Sequence, residues 1–303
     1  NMAQLLGSRP GGLGIAVVIV GALLAASTGI VGATVVTMGL LSLPSMLRAG
    51  YSPALAAGTI CATGTLGQII PPSIALVLLG DVIASAYQRA QLDLGVVNTA
   101  TVSVGDLFVG ALIPGLILVA FYLLWILLVA RIRPQLAPAI AAEGASLPEL
   151  FSALLPPFIL IALVLGSILL GAATPTEAAG VGAVGALLLA LQRRQMSWMK
   201  LHEIGLSTMR VTSMVFLILI GAAVFTLVFR GFGGEELVQG FFDHMNLGPQ
   251  GAMLLVMLVI FLLGFILDFI EITFVVVPIV GPILLAMGFD PIWFGIMLAV
   301  NLQ

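Results

Sequence analysis

The chain has 303 residues, of which 61% are hydrophobic and only 8% are charged, and it contains 35 glycines and 16 prolines. Soluble domains carry about 25% charged residues, so this composition excludes a soluble enzyme, a nucleic-acid-binding protein and a disordered linker protein. It predicts an all-α polytopic membrane protein. Lys200 is the only lysine, which excludes a Gly-x-x-x-x-Gly-Lys-Ser/Thr phosphate loop and therefore ATP hydrolysis by this chain.

Four apolar segments have the length of simple membrane-spanning helices, which need roughly 20 residues to cross a bilayer core about 30 Å thick. These segments are Asp106–Ala130, Leu150–Gly171, Pro175–Gln192 and Val211–Phe229. The basic segment Arg193–Arg210, which contains Trp198, is predicted to lie along the interface as an amphipathic arm. Polar connections are predicted at Ala84–Gly105, Arg131–Glu149 and Gly231–Pro249.

Two apolar runs are too long to cross the membrane once. Leu13–Leu47 has 35 residues and would measure about 52 Å as one straight helix, and Gly251–Met287 has 37 residues. Small or polar residues interrupt each run, at Ala26–Gly32 in the first and at Leu267–Glu271 in the second. Length and interruption together predict two re-entrant helical hairpins, each entering and leaving the membrane on one side.

A third irregular segment, Pro53–Val82, is interrupted at Thr63–Ser73. The adjacent residues Pro71 and Pro72 remove two backbone donors and are incompatible with a regular helix. The segment is therefore predicted to be a discontinuous spanning helix.

The two hairpins resemble each other when the sequence is shifted by 238 residues. Pro44 then falls on Pro282, Leu47 on Leu285, Gly50 on Gly288, Tyr51 on Phe289 and Pro53 on Pro291. Five crossings are predicted between the hairpins, and because this number is odd, the repeat is predicted to be inverted. The same register places the equivalents of Pro71 and Pro72 on the sixth and seventh residues after Gln303, where we expect the full-length protein to carry a Pro-Pro pair.

The cationic residues are distributed unequally between the two predicted sides of the membrane. One side collects eight of them and the other only two, which predicts that the first hairpin opens to the cytoplasm and the second to the exterior. The eight are Arg9, Arg48, Arg131, Arg133, Arg193, Arg194, Lys200 and Arg210, and the two are Arg89 and Arg230.

We interpret residues 1–303 as one transmembrane domain and expect it to be a fragment incomplete at both ends, because it begins at Asn1 and stops within an apolar segment. Residues 13–82 are predicted to form the first hairpin and the broken helix. Residues 106–230 form the intervening spans and the arm, and residues 251–303 form the second hairpin and the start of a second broken helix.

The interruptions are the places where the sequence suggests a binding site. Non-helical backbone at membrane depth is tolerated only where protein or a water-filled cavity supplies hydrogen-bond partners, and many secondary transporters hold substrate and coupling cation at such breaks. The candidate groups are the backbone at Gly29, Gly64 and Gly67 and the hydroxyls of Ser27, Thr28, Thr63 and Thr65. For isolated glycines and threonines, close helix packing is the alternative explanation.

Three carboxylates in or beside apolar runs have different explanations. A charge at membrane depth costs about 2.5 kcal/mol or more, so Asp268 either belongs to a cation or gating site or lies at a hairpin tip that reaches the aqueous boundary. The boundary explanation is favoured for Glu271. Glu177 is predicted to complete a capping box with Thr174, with Pro175 at the first helical position.

The sequence offers little support for an enzyme. His202 and His244 lie in predicted polar connections and are expected at the surface. The chain shows no His/Cys cluster, no nucleophile–base pair and no Gly-rich phosphate loop. An intramembrane aspartyl protease would need two membrane aspartates, whereas Asp268 alone qualifies.

The stretch Leu23–Pro72 resembles the large membrane subunit of TRAP transporters, the tripartite ATP-independent periplasmic systems. The resemblance rests on a Gly-Tyr turn, Gly50-Tyr51, and on a Gly-Thr-x-Gly-x-x-Ile-Pro-Pro-Ser run at Gly64–Ser73. Further matches are Asp106-Leu107-Phe108, Ile113-Pro114-Gly115, Thr174–Ala179, Leu267-Asp268, Pro278-Ile279, Phe294-Gly295 and Asn301. The hairpin tip departs from the family, since it has Ser27-Thr28-Gly29-Ile30 in place of Ser-Gly-Ser-Ser, and Ala84–Gly105 is longer than usual.

The resemblance implies an elevator-type secondary transporter in a bacterial inner membrane, which uses an inward Na⁺ gradient to import an organic acid. Its implied partners are a periplasmic solute-binding protein, a small four-helix TRAP membrane subunit and membrane lipid, with no nucleic acid and no cofactor besides Na⁺ as coupling ion. By position, the substrate would meet Thr63, Gly64, Thr65, Pro71, Pro72, Asp268 and Asn301. Na⁺ would meet Ser27, Thr28, Gly29, Gly64, Gly67 and Asp268.

Two alternatives stay open at this point. The chain could be a carboxylate or anion carrier of the wider ion transporter superfamily that works without a binding protein. It could also be a non-transporting membrane scaffold, although a scaffold gains nothing from interrupted helices at membrane depth.

Overall fold

The computed structural model describes residues 6–29, 31–96, 101–139, 147–245 and 247–303, and the regular structure within these ranges is helical throughout. Contacts divide the chain into two compact units. The first contains residues 1–74 and 108–189 together with Gln303, and the second contains residues 75–107 and 190–302. The prediction of an all-helical protein is confirmed.

Among the described residues, five helices are long and apolar enough to cross a membrane. They are Val31–Arg48, Val104–Ile132, Pro175–Gln192, Trp198–Gly231 and Phe269–Ala286. Many of their large apolar side chains face outward, as lipid-facing side chains do; Leu40, for example, is 75% exposed. A multi-pass membrane protein is the class that these helices define.

The first unit begins with three helices that pack against one another: α1 (Gly12–Thr28), α2 (Val31–Arg48) and α3 (Pro53–Thr65). The chain reverses between α1 and α2 within a shorter interruption than the predicted Ala26–Gly32. The reason is Gly29, which adopts the left-handed conformation (φ 62°) and donates its N–H to the carbonyl oxygen of Ala25 at 3.1 Å. Such a residue ends a helix within a single position. Ile30 lies outside the described residues.

At the end of the first hairpin away from its tip, hydrogen bonds from other parts of the chain replace an N-cap side chain of α1. The N-cap of α1 is Gly11, which has no side chain to offer, and the hydroxyl oxygen of Tyr51 accepts a hydrogen bond from the N–H of Gly14 at 3.2 Å instead. The Gly11 N–H donates to the Ala137 carbonyl at 2.9 Å. Burial raises the pKa of the Tyr51 phenol above its ordinary value.

The helix that follows is interrupted within the predicted segment Thr63–Ser73. α3 ends at Thr65, a 3₁₀ turn covers Leu66–Gln68, and α4 begins at Ile74 and runs to Asp93. The Leu66 carbonyl accepts hydrogen bonds from the N–H groups of residues 69 and 70 at 3.2 and 2.9 Å, and the Ser73 hydroxyl donates to the Gln68 carbonyl at 2.6 Å. The peptide bond between Pro71 and Pro72 is cis.

The rest of the first unit comes from α5 (Val104–Ile132), α6 (Leu147–Leu169) and α7 (Pro175–Gln192). The predicted capping box at the start of α7 is confirmed. The Thr174 N–H donates to Glu177 Oε2 at 2.8 Å, and the Glu177 N–H donates to Thr174 Oγ1 at 3.4 Å. A Pro at the first helical position and this reciprocal pair explain why the helix begins there.

Two boundaries in the second unit differ from the predictions. The predicted loop Ala84–Gly105 begins too early, because α4 extends to Asp93 and its buried side chains at Ile83, Ala86 and Ala90 continue one helical face. The predicted arm Arg193–Arg210 is not a separate element: it continues without a break into the following span as α8 (Trp198–Gly231). No proline interrupts this stretch, and its 34 residues measure about 51 Å.

The remaining helices are α9 (Gly234–Met245), α10 (Gly248–Leu263), α11 (Phe269–Ala286) and α12 (Pro291–Asn301). The predicted polar connection Gly231–Pro249 contains the helix α9, which has Glu235 and Glu236 in its first turn. Its Glu235 carboxylate pairs with Arg230 (2.5 Å) and Arg89 (3.6 Å). These two arginines are the ones that the charge distribution predicted on the exterior side.

The second hairpin is interrupted at residues 264–268, slightly earlier than the predicted Leu267–Glu271. Asp268 caps α11, since its Oδ1 accepts the Phe269 N–H at 2.8 Å, so Glu271 already lies within the helix. A π-helical turn at Ile272–Val276 follows inside α11.

Candidate substrate and cation site

The tip of the first hairpin lies against the interruption between α3 and α4. A Cβ atom added to Gly67 would lie 3.0 Å from the carbonyl oxygen of Ala25, and one added to Gly29 would lie 3.0 Å from the Ile74 side chain. Both distances are shorter than ordinary van der Waals contact. Glycine at these two positions therefore allows the hairpin tip and the interrupted helix to approach each other through their backbones.

Gly64 serves helix packing, the alternative that the sequence left open. A Cβ atom there would lie 2.3 Å from a Val35 methyl group and 3.1 Å from the Val35 backbone. On the other side of α3, a Cβ at Gly21 would lie 2.2 Å from the Thr63 methyl. Small residues thus bring all three helices close together, as in other membrane bundles.

The hydroxyls of Thr63 and Thr65 use their hydrogens within their own helix. Thr63 Oγ1 donates to the Thr59 carbonyl at 2.6 Å and Thr65 Oγ1 donates to the Ala62 carbonyl at 2.8 Å. Thr63 is completely buried. A hydroxyl oxygen whose hydrogen is occupied in this way offers lone pairs, which suit a cation or a donor group of a ligand.

Gln68 belongs to this region although the sequence analysis did not select it. Its side chain is 6% exposed, and its Oε1 has no hydrogen-bond partner within the described residues. A buried polar atom without a partner is rare and calls for an explanation such as a ligand. The sequence marks Gln68 only as a polar residue three positions before the Pro71–Pro72 pair, and its burial is a property of the fold.

The carboxamide of Gln303 completes the polar groups around Thr65. With the carboxamide oriented so that its nitrogen donates to the Thr65 carbonyl (2.8 Å), its oxygen accepts a hydrogen bond from the Leu66 N–H (3.1 Å). Gln303 clusters with the first unit. Thr65 and Gln303 are the two residues that the 238-residue register equates.

The predicted site residues of the second unit lie in a different environment. Asp268 is exposed and caps α11 as described, and its roles at a cation site or at the aqueous boundary stay predictions. Its neighbours at the tip are apolar and exposed, with Phe265 at 75% and Ile266 at 84%. Asn301 donates from Nδ2 to the Met257 carbonyl at 2.9 Å, which joins α12 to α10.

The second unit also has a polar group that the sequence analysis missed. Thr273 is 1% exposed and its Oγ1 has no hydrogen-bond partner within the described residues. It lies in the π-helical turn of α11, and such turns recur at functional sites. Helical periodicity could not have revealed it, because one threonine in an apolar run gives no period of its own.

The structure therefore gathers Gly29, Thr63, Gly64, Thr65, Gly67, Pro71 and Pro72 within the first unit and leaves Asp268 and Asn301 in the second. The side chains of Ser27 and Thr28 lie outside the described part of the chain. Over the described ranges, no group of three or more His, Cys, Asp or Glu residues could hold a metal ion. The groups offered at the first tip are backbone carbonyls, hydroxyls and one carboxamide.

Apolar helices of membrane length, with an interrupted helix beside a hairpin tip, define a multi-pass α-helical membrane protein. Its family follows from comparison with known proteins: residues 1–303 match the tripartite ATP-independent periplasmic transporter, DctM component, and the chain belongs to that family. The resemblance inferred from the sequence motifs is confirmed. The family is a transporter component, which also agrees with the prediction that the chain is not an enzyme.

Curated relatives give the same result. The chain is 33% identical over 299 residues to the C4-dicarboxylate TRAP transporter large permease protein DctM of Pseudomonas aeruginosa, covering 98% of this chain and 66% of that protein. It is also 33% identical to the protein of the same name from Rhodobacter capsulatus, covering 99% of this chain and 67% of that protein. It is 28% identical to the sialic acid TRAP transporter large permease protein SiaM of Vibrio cholerae, covering 100% and 67%. The chain spans about two thirds of the length of these relatives.

Proposed function

We propose that this chain is part of the large permease subunit of a TRAP transporter that imports an organic acid across a bacterial inner membrane, driven by an inward Na⁺ gradient. The observation that carries the proposal is the backbone contact between the first hairpin tip and the interrupted helix at Gly67. Exposed carbonyls and half-helix ends at such breaks are the groups with which secondary transporters bind coupling cations and anionic substrates.

The groups at the first tip divide between the two ligands by their chemistry. Backbone and hydroxyl oxygens at Ser27, Thr28, Gly29, Gly64 and Gly67 suit Na⁺, and the groups at Thr63, Gly64, Thr65, Pro71 and Pro72 suit the substrate. In the second unit, taken by itself, we propose Asp268 as a ligand of Na⁺ and substrate and Asn301 as a ligand of the substrate. We add Gln68 to the substrate-binding groups of the first unit, because its unpartnered carboxamide oxygen accepts a hydrogen bond from a hydroxyl-bearing or protonated organic acid.

A repeat is supported by helix boundaries that coincide at the 238-residue shift, and its inversion follows from the odd number of crossings predicted between the hairpins. α2 (Val31–Arg48) and α11 (Phe269–Ala286) begin and end at equated residues, and α3 and α12 begin at Pro53 and Pro291. Gly50 and Gly288, between these helices, both adopt positive φ angles of 82° and 95°. In the proposed architecture both hairpins are re-entrant, and the elevator movement carries them together with the interrupted helices.

The partners follow from the family. A TRAP system consists of the large permease, a small membrane subunit of four helices and a periplasmic solute-binding protein, and we propose that this chain works with both. The relatives named for C4-dicarboxylates and for sialic acid share the family with one another. The identity of the organic acid is therefore expected to depend largely on the binding protein.

The proposal is tested with the complete complex, full-length large subunit and small subunit, reconstituted in liposomes with its binding protein. Uptake is expected to require an inward Na⁺ gradient and the binding protein and to be independent of ATP. Gly67→Leu is expected to abolish uptake while the protein still inserts, because its Cβ would displace the Ala25 carbonyl.

Gly205→Leu is the matched control, since a Cβ at Gly205 meets nothing within 4 Å. Uptake without the binding protein would instead identify a binding-protein-independent carrier. Na⁺-driven uptake that survives Gly67→Leu would place the site elsewhere.

A further inference from the structure

A groove of about 810 Å³ opens in the first unit between α3 and α5, and its lining includes Thr63 of the candidate site. This volume lies within the range of small-molecule and lipid pockets. Its walls are the apolar side chains of Leu55, Trp125, Leu128 and Ile132, of which Trp125 is 59% exposed and Ile132 66% exposed. The groove is thus open along one side, which we expect to face the lipid of the bilayer.

The floor of the groove offers few polar groups to a ligand. Thr59 and Thr63 line it, but Thr59 Oγ1 donates to the Leu55 carbonyl at 2.7 Å and Thr63 Oγ1 donates to the Thr59 carbonyl at 2.6 Å. Both hydroxyl hydrogens are occupied within α3. These two hydroxyls offer lone pairs but no hydrogen to donate, and the apolar walls beside them favour an apolar occupant along this part of the groove.

The length of the groove distinguishes a lipid chain from a protein helix. Along α5 it extends from Tyr122 to Ile132, a distance of about 15 Å at 1.5 Å per residue. This is half of a bilayer core about 30 Å thick. A spanning helix of another subunit would need the full thickness, whereas an acyl chain of one leaflet needs only half.

One end of the groove is polar and cationic. Ser52 and Arg133 line it there, at the start of α3 and just after the end of α5. Within the described ranges, no carboxylate lies within 4.0 Å of the Arg133 guanidinium. Arg133 belongs to the cationic side predicted to face the cytoplasm, where basic pockets between spanning helices bind anionic headgroups.

We propose that this groove binds an anionic phospholipid of the cytoplasmic leaflet, with one acyl chain along α5 and the phosphate at Arg133. The charge complementarity at one end and the one-leaflet length together select this occupant. The proposal depends on neither the Na⁺ coupling nor the substrate, so it stands or fails independently of them.

The test uses the complete complex in nanodiscs of equimolar phosphatidylglycerol and phosphatidylcholine with matched acyl chains. A photo-crosslinking p-benzoylphenylalanine placed at Leu128, which lines the groove, is expected to capture phosphatidylglycerol about fivefold more than phosphatidylcholine, the preference that one arginine near the surface provides. The same probe at Leu124, an exposed residue of α5 outside the groove, should capture both lipids equally.

Two variants then test separately the binding of the lipid headgroup and the binding of the acyl chain. Arg133→Gln is expected to remove the preference for phosphatidylglycerol, and Gly58→Phe to remove capture of both lipids at Leu128. Gly58 lines the groove and a Cβ there meets nothing within 4 Å, so we expect the ring of a phenylalanine at this position to occupy the groove; Gly221→Phe, whose Cβ is equally unobstructed, is the control. A preference that persists in Arg133→Gln, undiminished capture in Gly58→Phe, or capture of the small subunit at Leu128 would overturn the proposal.

Discussion

The second arms of the two hairpins, α2 and α11, have the same helix boundaries, but the tips that precede them differ. In the first, the tip is closed: Ala25 is completely buried, and Gly29 packs against Ile74. In the second, Phe265 and Ile266 at the tip are 75% and 84% exposed, and Asp268 rather than glycine defines the turn. One tip ends a helix with a left-handed glycine, and the other starts a helix with a capping carboxylate.

The comparison shows that the repeat determines helix boundaries but does not determine the chemistry of the hairpin tips. Prolines and glycines at equated positions start and stop the helices in the same register, because their constraints are local. The chemistry of the tips is not constrained in this way, since a helix end is satisfied equally by a glycine turn or by a side-chain cap. We therefore expect the two tips to differ in function, and the predictions below compare the two hairpins in membrane orientation, tip chemistry and the ends opposite the tips.

The largest expected effect concerns the side of the membrane to which each hairpin opens. In full-length protein with Cys61→Ser, Gln195→Cys should react with a membrane-impermeant maleimide from the cytoplasmic side alone and Gln239→Cys from the periplasmic side alone. Both residues are exposed and they lie beyond opposite ends of α8. Labelling is measured in intact cells and in inverted vesicles. Reaction of both cysteines from the same side would rule out the inverted repeat. The equivalent experiment at Ala145 concerns a residue outside the described part of the chain.

Composition and helix length were sufficient to predict the class of protein and most of its spans. Apolar runs of about 20 residues have one stable solution in a bilayer, a helix with all backbone groups bonded internally. The capping box at Thr174 and Glu177 was equally accessible, because both of its hydrogen bonds join residues three positions apart. Local rules of this kind need no tertiary information.

The predictions that were wrong, and the residues that were missed, depend on the tertiary structure instead. The end of α4 was predicted too early because Arg89 and Asp93 made the segment look like a polar loop, whereas Arg89 is paired with Glu235 on α9, far away in sequence. Gln68 and Gln303 were missed for the same reason. Their importance comes from burial and from contacts across the fold, and neither can be seen in a window of neighbouring residues.

The second prediction concerns Asp268, whose position is compatible with two roles, as the N-cap of α11 and as a ligand of Na⁺. Asparagine still accepts the Phe269 N–H but carries no charge, so Asp268→Asn should leave the thermal stability of the complex unchanged. If the second tip contributes to the Na⁺ site as proposed, the Na⁺ concentration for half-maximal uptake should rise about tenfold, the effect of losing roughly 1.4 kcal/mol of binding free energy. Glu271→Gln, one turn further along α11, is the control. An unchanged Na⁺ dependence in Asp268→Asn would restrict this residue to capping.

The smallest expected effect concerns the ends of the hairpins opposite their tips. The register equates Tyr51 with Phe289. Phe289 stacks on Trp293 at a ring distance of 5.7 Å, whereas Tyr51 uses its hydroxyl to accept the buried N–H of Gly14. Tyr51→Phe gives the first hairpin the same side chain that the second hairpin has at the equated position, Phe289. The substitution leaves the Gly14 N–H without an acceptor. An unsatisfied buried donor costs about 1–3 kcal/mol, so the Tm of the purified protein should fall by a few degrees with no change in the Na⁺ dependence of uptake.

The matched control for Tyr51→Phe is Tyr87→Phe, which removes a hydroxyl that makes no hydrogen bond within the described residues. Its Tm should stay at the wild-type value, because no buried donor loses its partner. The size of the difference between the two variants measures the contribution of a tertiary cap where the N-cap residue, Gly11, has no side chain. Equal shifts in the two variants would mean that the Gly14 N–H finds another acceptor, and that Tyr51 stabilises the first hairpin only through the packing of its ring.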